Sequence, residues 1–195
     1  MNHRHRILAA IALALAIAPP FFAPNAHAQE EGDPAAAEWC ASHNGTVVDR
    51  YPASNASSDA PVAMGPPVRF CEFTGGEGAD PADSHISIRL ITLASDQPTM
   101  AATAYLTKPE MAESGGSANP ASVYCADLGG AEIGGVLAPS GGWVNVTDAT
   151  DILDGLCVFP DLSIIDSWGL AYHTMGTIRG ADLEPLFRWK PESES

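Results

Sequence analysis

The sequence contains few basic residues, with 9 Lys and Arg against 24 Asp and Glu in 195 residues. Such an excess of negative charge repels nucleic acid and anionic lipid headgroups, so neither is expected as a partner. Strings typical of catalytic, nucleotide-binding or zinc sites, such as GxSxG, HExxH, CxxC and a Walker lysine, are also missing. The sequence therefore predicts no catalytic, cofactor-binding or metal-binding residues.

Long apolar runs are missing beyond the N-terminus. Arg4 and Arg6 precede an apolar run at residues 7–18, and Ala26 and Ala28 place small residues at the two positions of a cleavage site. This order is typical of a secretory signal peptide, and the run is shorter than the roughly 20 residues that cross a bilayer. We expect cleavage after Ala28 and a periplasmic or secreted protein without a membrane span.

Cleavage removes two arginines and no acidic residue, which leaves 7 basic and 24 acidic residues and a net charge of −17. The mature chain keeps all the cysteines, which are Cys40, Cys71, Cys125 and Cys157. An even number of cysteines in an oxidising compartment indicates disulfides, and four cysteines allow three pairings.

The surroundings of the cysteines indicate an internal repeat of two units. The first cysteine of each pair follows an aromatic residue, Trp39 or Tyr124, and precedes a glycine, Gly45 or Gly130, by five positions. The cysteine separations are 31 and 32 residues. Similarity at a nearly constant offset is the mark of a repeat, and the simplest pairing closes each bridge within its own unit. In the chain-entropy model such loops stabilise each unit by about 3–4 kcal/mol.

Each unit is expected to open with a short helix, at residues 35–43 and 121–128. Asp33-Pro34 and Asn119-Pro120 supply a capping side chain and a proline at the first helical position. A further helix is predicted at 98–106, and 166–172 has the pattern of a strand or turn. Predicted strands cover residues 46–51, 68–73, 85–93, 131–138, 143–146, 156–159 and 163–165.

These elements predict an α+β fold of two tandem small modules. In each module a short N-terminal helix is linked by a disulfide to a small antiparallel β-sheet. The predicted segments are the signal peptide at 1–28, a first module at 29–111, a linker at 112–118, a second module at 119–189 and a disordered tail at 190–195.

The second half resembles a known family. The string NPASVYC at residues 119–125 is followed by Gly129-Gly130, then by CVFP at 157–160 and DSWGL at 166–170. This order resembles the small secreted bacterial domains of unknown function that carry the name hemolysin. Leu162 stands where that family tends to have a glycine. The resemblance implies an exported, cysteine-bearing small fold, with the first half as a diverged copy.

The residues most suited to binding are an aromatic patch with one acidic acceptor, namely Tyr124, Pro160, Asp166 and Trp168. In the alternative that we favour, the aromatic residues pack around the disulfide and Asp166 caps a turn. His43, His85 and His173 lie in different predicted elements, and nothing in the sequence brings them together.

The sequence thus favours an exported non-enzymatic protein, either an envelope or extracellular binding module or an inhibitor-like one. Its partner would be a protein or a cell-envelope ligand, and no cofactor is expected. Two alternatives are a hydrolase with a site between the two modules and a cytolysin, which the family label suggests.

Overall fold

The computed structural model describes residues 34–75, 84–112, 119–133 and 141–191. The predicted signal peptide, the Asp33 cap, most of the predicted linker and the end of the tail lie outside these ranges. The helices are α1 Pro34–Ser42, α2 Leu90–Ala94, α3 Met100–Thr107, α4 Pro120–Asp127 and α5 Ser167–Thr174. The strands are β1 Thr46–Ser54, β2 Val62–Ala63, β3 Val68–Thr74, β4 His85–Arg89, β5 Ala131–Glu132, β6 Gly142–Asn145, β7 Ile152–Leu153, β8 Leu156–Val158 and β9 Ile164–Asp166.

Of the predicted strand at 131–138, only Ala131–Glu132 is a strand, and residues 134–138 lie outside the described ranges. Two further predicted elements differ in type from the structure. The predicted strand at 85–93 ends at Arg89, and helix α2 follows it. The face of α2 that packs on the core carries Leu90, Leu93 and Ala94. The prediction of a strand or turn at 166–172 is wrong after Asp166, because Asp166 ends β9 and helix α5 covers Ser167–Thr174. Both helices follow their strand without a loop, so no turn residue marks the change from a period of 2 to one of 3.6.

All the described strands join one nine-stranded sheet. Its order is β5-β8-β9-β4-β3-β1-β6-β7, and β2 pairs with β1. The first-half strands β4, β3 and β1 therefore lie between second-half strands, with β9 on one side and β6 on the other. The structure is a mixture of helices and antiparallel strands, as expected, but it does not confirm two tandem modules that each have their own sheet.

The repeat is nevertheless visible in the strand register. In the first half, Cys71 pairs with Val47 on one side and with Ile88 on the other. In the second half, Cys157 pairs in the same way with Glu132 and Ile165. Each half therefore contains a helix, three corresponding strands and a helix in the same order, with β2 inserted in the first half and β6 and β7 inserted in the second.

The two repeats meet at equivalent positions. Ile88 pairs with Ile165 in an antiparallel bridge between β4 and β9, and each of these residues is the partner of the second cysteine of its own half. Because these equivalent residues pair in antiparallel strands, β4 and β9 are related by a local two-fold axis.

The predicted disulfides Cys40–Cys71 and Cys125–Cys157 are both present. The repeated glycine packs directly against each of them. A Cβ atom on Gly130 would lie 2.5 Å from Cys157 Sγ, and one on Gly45 would lie 2.7 Å from Cys40 Sγ. Glycine is therefore required at this position because any side chain would overlap the sulfurs.

The sheet curls back on itself. In a flat sheet β8 and β7 would be about 29 Å apart at six strand spacings, yet Leu153 and Leu156 are separated by only three peptide steps, which span at most about 11 Å. Leu156 and Leu153 belong to one apolar cluster with Phe70 and Trp143. Phe70 and Cys71 are consecutive in β3, so this cluster fills the face opposite the helices.

The main core lies between the sheet and the helices and contains residues from both halves. Helix α3, which follows the first repeat, packs against α5 of the second repeat. The segment after α5 returns to the first half, where Arg188 N donates to Leu93 O and Trp189 N donates to Ser95 O. Each repeat is thus covered in part by the segment that follows the other repeat.

Candidate functional site

The residues of the predicted patch lie in different surroundings. Tyr124 is buried on α4, and its hydroxyl lies 2.7 Å from Pro109 O and 2.9 Å from Thr174 Oγ1. Pro160 is exposed in the turn between β8 and β9. Trp168 is half-buried near the start of α5. The accessible surface of the patch therefore belongs to Trp168 and Pro160.

Asp166 has a capping role. It is buried, and its carboxylate accepts a hydrogen bond from Gly169 N at the start of α5. The pKa of Asp166 is raised to about 6, mainly by burial and to a smaller extent by nearby Glu132, whereas the Gly169 N–H, Arg179 and His85 oppose the shift. The Asp166 carboxyl therefore caps the start of α5 and is not exposed to a ligand.

Helix α5 carries a second aromatic residue beside Trp168. Tyr172 follows one turn later, and the two ring centroids are 5.5 Å apart with an interplanar angle of 33°. The Arg179 guanidinium carbon lies 5.5 Å from the Tyr172 ring centroid, within cation–π range. All three side chains are half-buried. We call Trp168, Tyr172 and Arg179 the aromatic surface.

Polar atoms without partners lie next to the aromatic surface. Glu132 accepts a hydrogen bond from Ser122 Oγ through Oε2, whereas its buried Oε1 has no partner among the described residues. The buried Nε of Arg179 is also unpartnered in this part of the chain. Gly155 leaves room between Trp168 and Glu132, because its Cβ position would lie 3.9 Å from Trp168 Cδ1 and 4.0 Å from Glu132 Oε1.

Sequence reasoning missed Tyr172 and Arg179. The signal for Tyr172 was its spacing of four residues from Trp168, which places two side chains on one helix face. That spacing had no meaning while 166–172 was interpreted as a strand or turn. Arg179 follows the helix in an irregular segment, where no periodicity predicts contact.

The structure places the histidines of the three predicted elements apart from one another. His43 Nδ1 lies 2.7 Å from Trp39 O at the end of α1. His85 is exposed at the start of β4, and His173 is buried on α5. A site that uses several of these histidines is therefore not formed.

His173 instead lies in a cluster with two carboxylates. Its Nε2 lies 3.1 Å from Glu184 Oε1, and one ligand atom from each of His173, Asp182 and Glu184 lies within 4.8 Å of the others. The imidazole stacks on the Tyr105 ring, with centroids 3.7 Å apart and planes at 7°. Lys108 Nζ lies 2.7 Å from Glu184 Oε1. We call His173, Asp182 and Glu184 the His–carboxylate cluster.

The charges of this cluster influence one another. Burial lowers the pKa of His173, and the nearby Lys108 ammonium lowers it further, whereas Glu184 and Asp182 oppose the shift. The hydrogen bond from Lys108 lowers the pKa of Glu184, which is therefore a carboxylate at neutral pH. No sequence motif marks the cluster, since the two acidic residues lie in an irregular segment well beyond the helix that carries His173.

No family model, curated protein or solved structure matches this chain. The resemblance to the hemolysin-named domains therefore remains a prediction. Within the described ranges, every helix falls short of the length and apolar character that a membrane crossing needs.

Proposed function

We propose that this chain is an exported, non-enzymatic binding protein that holds a cell-envelope or extracellular ligand on its aromatic surface. The observation that carries the proposal is the half-exposed pair of Trp168 and Tyr172 beside Arg179. Export is supported by the N-terminal sequence and by the two disulfides, which are typical of oxidising compartments.

The aromatic surface combines apolar and polar contacts. Tyrosine and tryptophan offer large amphipathic areas at a small cost in side-chain entropy, and they dominate binding energies at many interfaces. Glu132 Oε1 and Arg179 Nε are buried without partners in the part of the chain that the structure describes, which costs each about 1–3 kcal/mol. Both side chains are only half-buried as a whole, so a small rotation would let a ligand supply a donor to Glu132 and an acceptor to Arg179 and remove this cost.

The net charge restricts the ligand. At −17 the mature chain repels polyanions at long range. A neutral glycan, a neutral peptide or a cationic protein surface is therefore favoured over an anionic polymer. An inhibitor-like role would use the same surface, with a protein as its partner.

A hydrolase is the second candidate, because His173 and Glu184 form a hydrogen-bonded pair where α3 of the first half meets α5 of the second. However, only 3% of the His173 side chain is exposed, and its Nδ1 has no partner among the described residues. A His–carboxylate pair without a bound nucleophile or access for a substrate does not activate an attacking group. Binding is therefore the better supported function.

The test is cosedimentation of the mature, disulfide-bonded protein with isolated cell-wall sacculi and with envelope vesicles. We expect the native chain to bind one of these fractions and W168A to bind at least about tenfold more weakly, as expected of a central aromatic contact. Y172A should weaken binding in the same direction.

The matched control is M64A, which removes an exposed apolar side chain elsewhere (55% exposed). M64A should bind like the native chain. Equal binding by W168A, M64A and the native protein would refute the aromatic surface as the binding site. Hydrolysis of a panel of esters and peptides that is lost in H173Q would favour the second candidate instead.

A further inference from the structure

We propose that the His–carboxylate cluster binds a divalent transition metal ion, with Zn²⁺ as the reference ion, and that Lys108 competes with the metal for Glu184. The cluster consists of one imidazole and two carboxylates, the ligand types that Zn²⁺ takes in proteins. The proposal is independent of the aromatic surface and of its ligand.

The distances suit one metal ion. Zn–N and Zn–O bonds are about 2.0–2.1 Å long. For the 3.1 Å separation of His173 Nε2 and Glu184 Oε1, bonds of this length give an angle of about 100° at the metal, near the tetrahedral value. The Asp182 carboxylate lies within the same 4.8 Å group and can supply the third ligand. Three protein ligands leave a fourth position open for water.

Tyr105 holds the ligands in position. Its ring stacks on the His173 imidazole, and its hydroxyl accepts a hydrogen bond from Leu183 N, between the two acidic ligands. Asp182 Oδ1 in turn accepts a hydrogen bond from Glu184 N at 2.9 Å. One buried side chain therefore fixes both the helix and the segment that carry the ligands, which reduces the entropy lost on binding.

Glu184 already attracts the positively charged side chains of the protein. The chain contains only two lysines, and both lie at Glu184. Lys108 Nζ contacts the carboxylate, and Lys190 Nζ donates to Glu184 O. The Lys108 side chain is 42% exposed, so it can move into solvent when a metal ion takes its place.

The ligand set also selects the kind of metal. An imidazole nitrogen favours zinc, cobalt, nickel and copper over magnesium and calcium, which prefer sites made of oxygen atoms alone. Among these ions, Co²⁺ reports its coordination through visible absorption. It is therefore the spectroscopic probe for the site.

The experiment is calorimetric titration of the mature, disulfide-bonded protein, without an affinity tag, with Zn²⁺, together with Co²⁺ absorption spectra. We expect one ion per chain for the native protein. D182N and E184Q should each weaken binding at least about tenfold, because each removes a charged ligand. D182N keeps an oxygen that can accept from Glu184 N, so its fold should be unchanged.

The control is D96N, which also removes one carboxylate that pairs with a basic side chain, Arg188 at 3.1 Å. D96N should bind Zn²⁺ like the native protein. Binding that is equally strong in D182N, E184Q and D96N, or no binding by the native protein, would overturn the site.

Competition by Lys108 is tested with K108Q. Removing the ammonium should tighten Zn²⁺ binding by about threefold to tenfold, since a positive charge near the metal is lost from a partly exposed position. Equal affinities for K108Q and the native chain would overturn the competition. H173Q should abolish the Co²⁺ spectrum of a nitrogen-ligated site, and circular dichroism checks that this variant is folded.

Discussion

Trp39 and Tyr124 make equivalent hydrogen bonds to opposite halves of the chain. Trp39 Nε1 donates to Leu186 O at 2.9 Å, in the segment that follows the second repeat. The Tyr124 hydroxyl donates to Pro109 O at 2.7 Å, in the segment that follows the first repeat. Each aromatic residue immediately precedes the first cysteine of its repeat, so each repeat anchors the segment that follows the other one.

These two crossed hydrogen bonds predict that the Trp39 and Tyr124 side chains stabilise the whole chain. Y124F should lower the free energy of unfolding by about 1–2 kcal/mol, because the Pro109 carbonyl loses its hydrogen-bond donor at a partly buried position. W39F should cost more, since it also removes buried area. Urea denaturation measures both effects. Y51F is the control, because no hydrogen bond of the Tyr51 hydroxyl occurs among the described residues, and its cost should be near zero.

The glycine that packs on each disulfide should not tolerate a side chain. G130A should destabilise the protein by about 1–3 kcal/mol, because its Cβ would overlap the Cys157 and Cys125 sulfurs. Thermal unfolding measures this cost. In the C125A/C157A background the sulfurs are gone, so most of the cost should disappear. An undiminished cost there would assign the effect to other contacts.

Leu162 should be replaceable by glycine with a gain in stability. Its φ is 64°, in the left-handed region, and its side chain is 47% exposed. A branched residue in this region is strained by roughly 1 kcal/mol, so L162G should raise the free energy of unfolding by up to about 1 kcal/mol. L162A keeps the Cβ and should give no gain. A gain for L162A equal to that for L162G would show that the exposed side chain, and not the backbone, was unfavourable.

Asp166 should make the stability depend on pH. Its pKa is about 6 in the folded protein, against about 3.9 in an unfolded chain. The folded state therefore holds the proton more tightly, and its stabilising effect is complete below pH 4 and lost as the pH rises to 6. The loss amounts to at most about 3 kcal/mol. Glu132, Arg179 and His85 are the charged or titratable groups that act on this carboxyl.

The test compares D166N with D166A in denaturant unfolding between pH 4 and pH 7. D166N keeps an oxygen for Gly169 N and cannot ionise, so it should match the native protein near pH 4 and exceed its stability above pH 6. D166A should cost about 1 kcal/mol or more at every pH, because the helix cap is lost. If D166N and the native chain keep parallel stability curves, Asp166 is not the group responsible.

Local features could be predicted from the sequence. Asn119-Pro120 marked the start of α4, where the Asn119 side chain accepts from Ala121 N. The repeated cysteine, aromatic and glycine spacing predicted the disulfide pairing. These features depend on contacts within a few residues or on a repeated pattern, both of which are visible along the chain.

The candidate sites could not be predicted in the same way. Tyr172 beside Trp168 required knowledge that α5 is a helix, which a short apolar run does not show. Glu184 beside His173 required the path of the segment after α5, which no local pattern determines. Such contacts are decided by how elements pack.

The sequence by itself determined the repeated unit and its two covalent bridges, because the spacing of cysteine, aromatic and glycine residues recurs along the chain. Only the tertiary structure decided that the two units share one sheet through Ile88 and Ile165. The backbone groups of β4 and β9 pair with any strand of suitable length and direction, so the choice between two sheets and one depends on burial across the whole molecule.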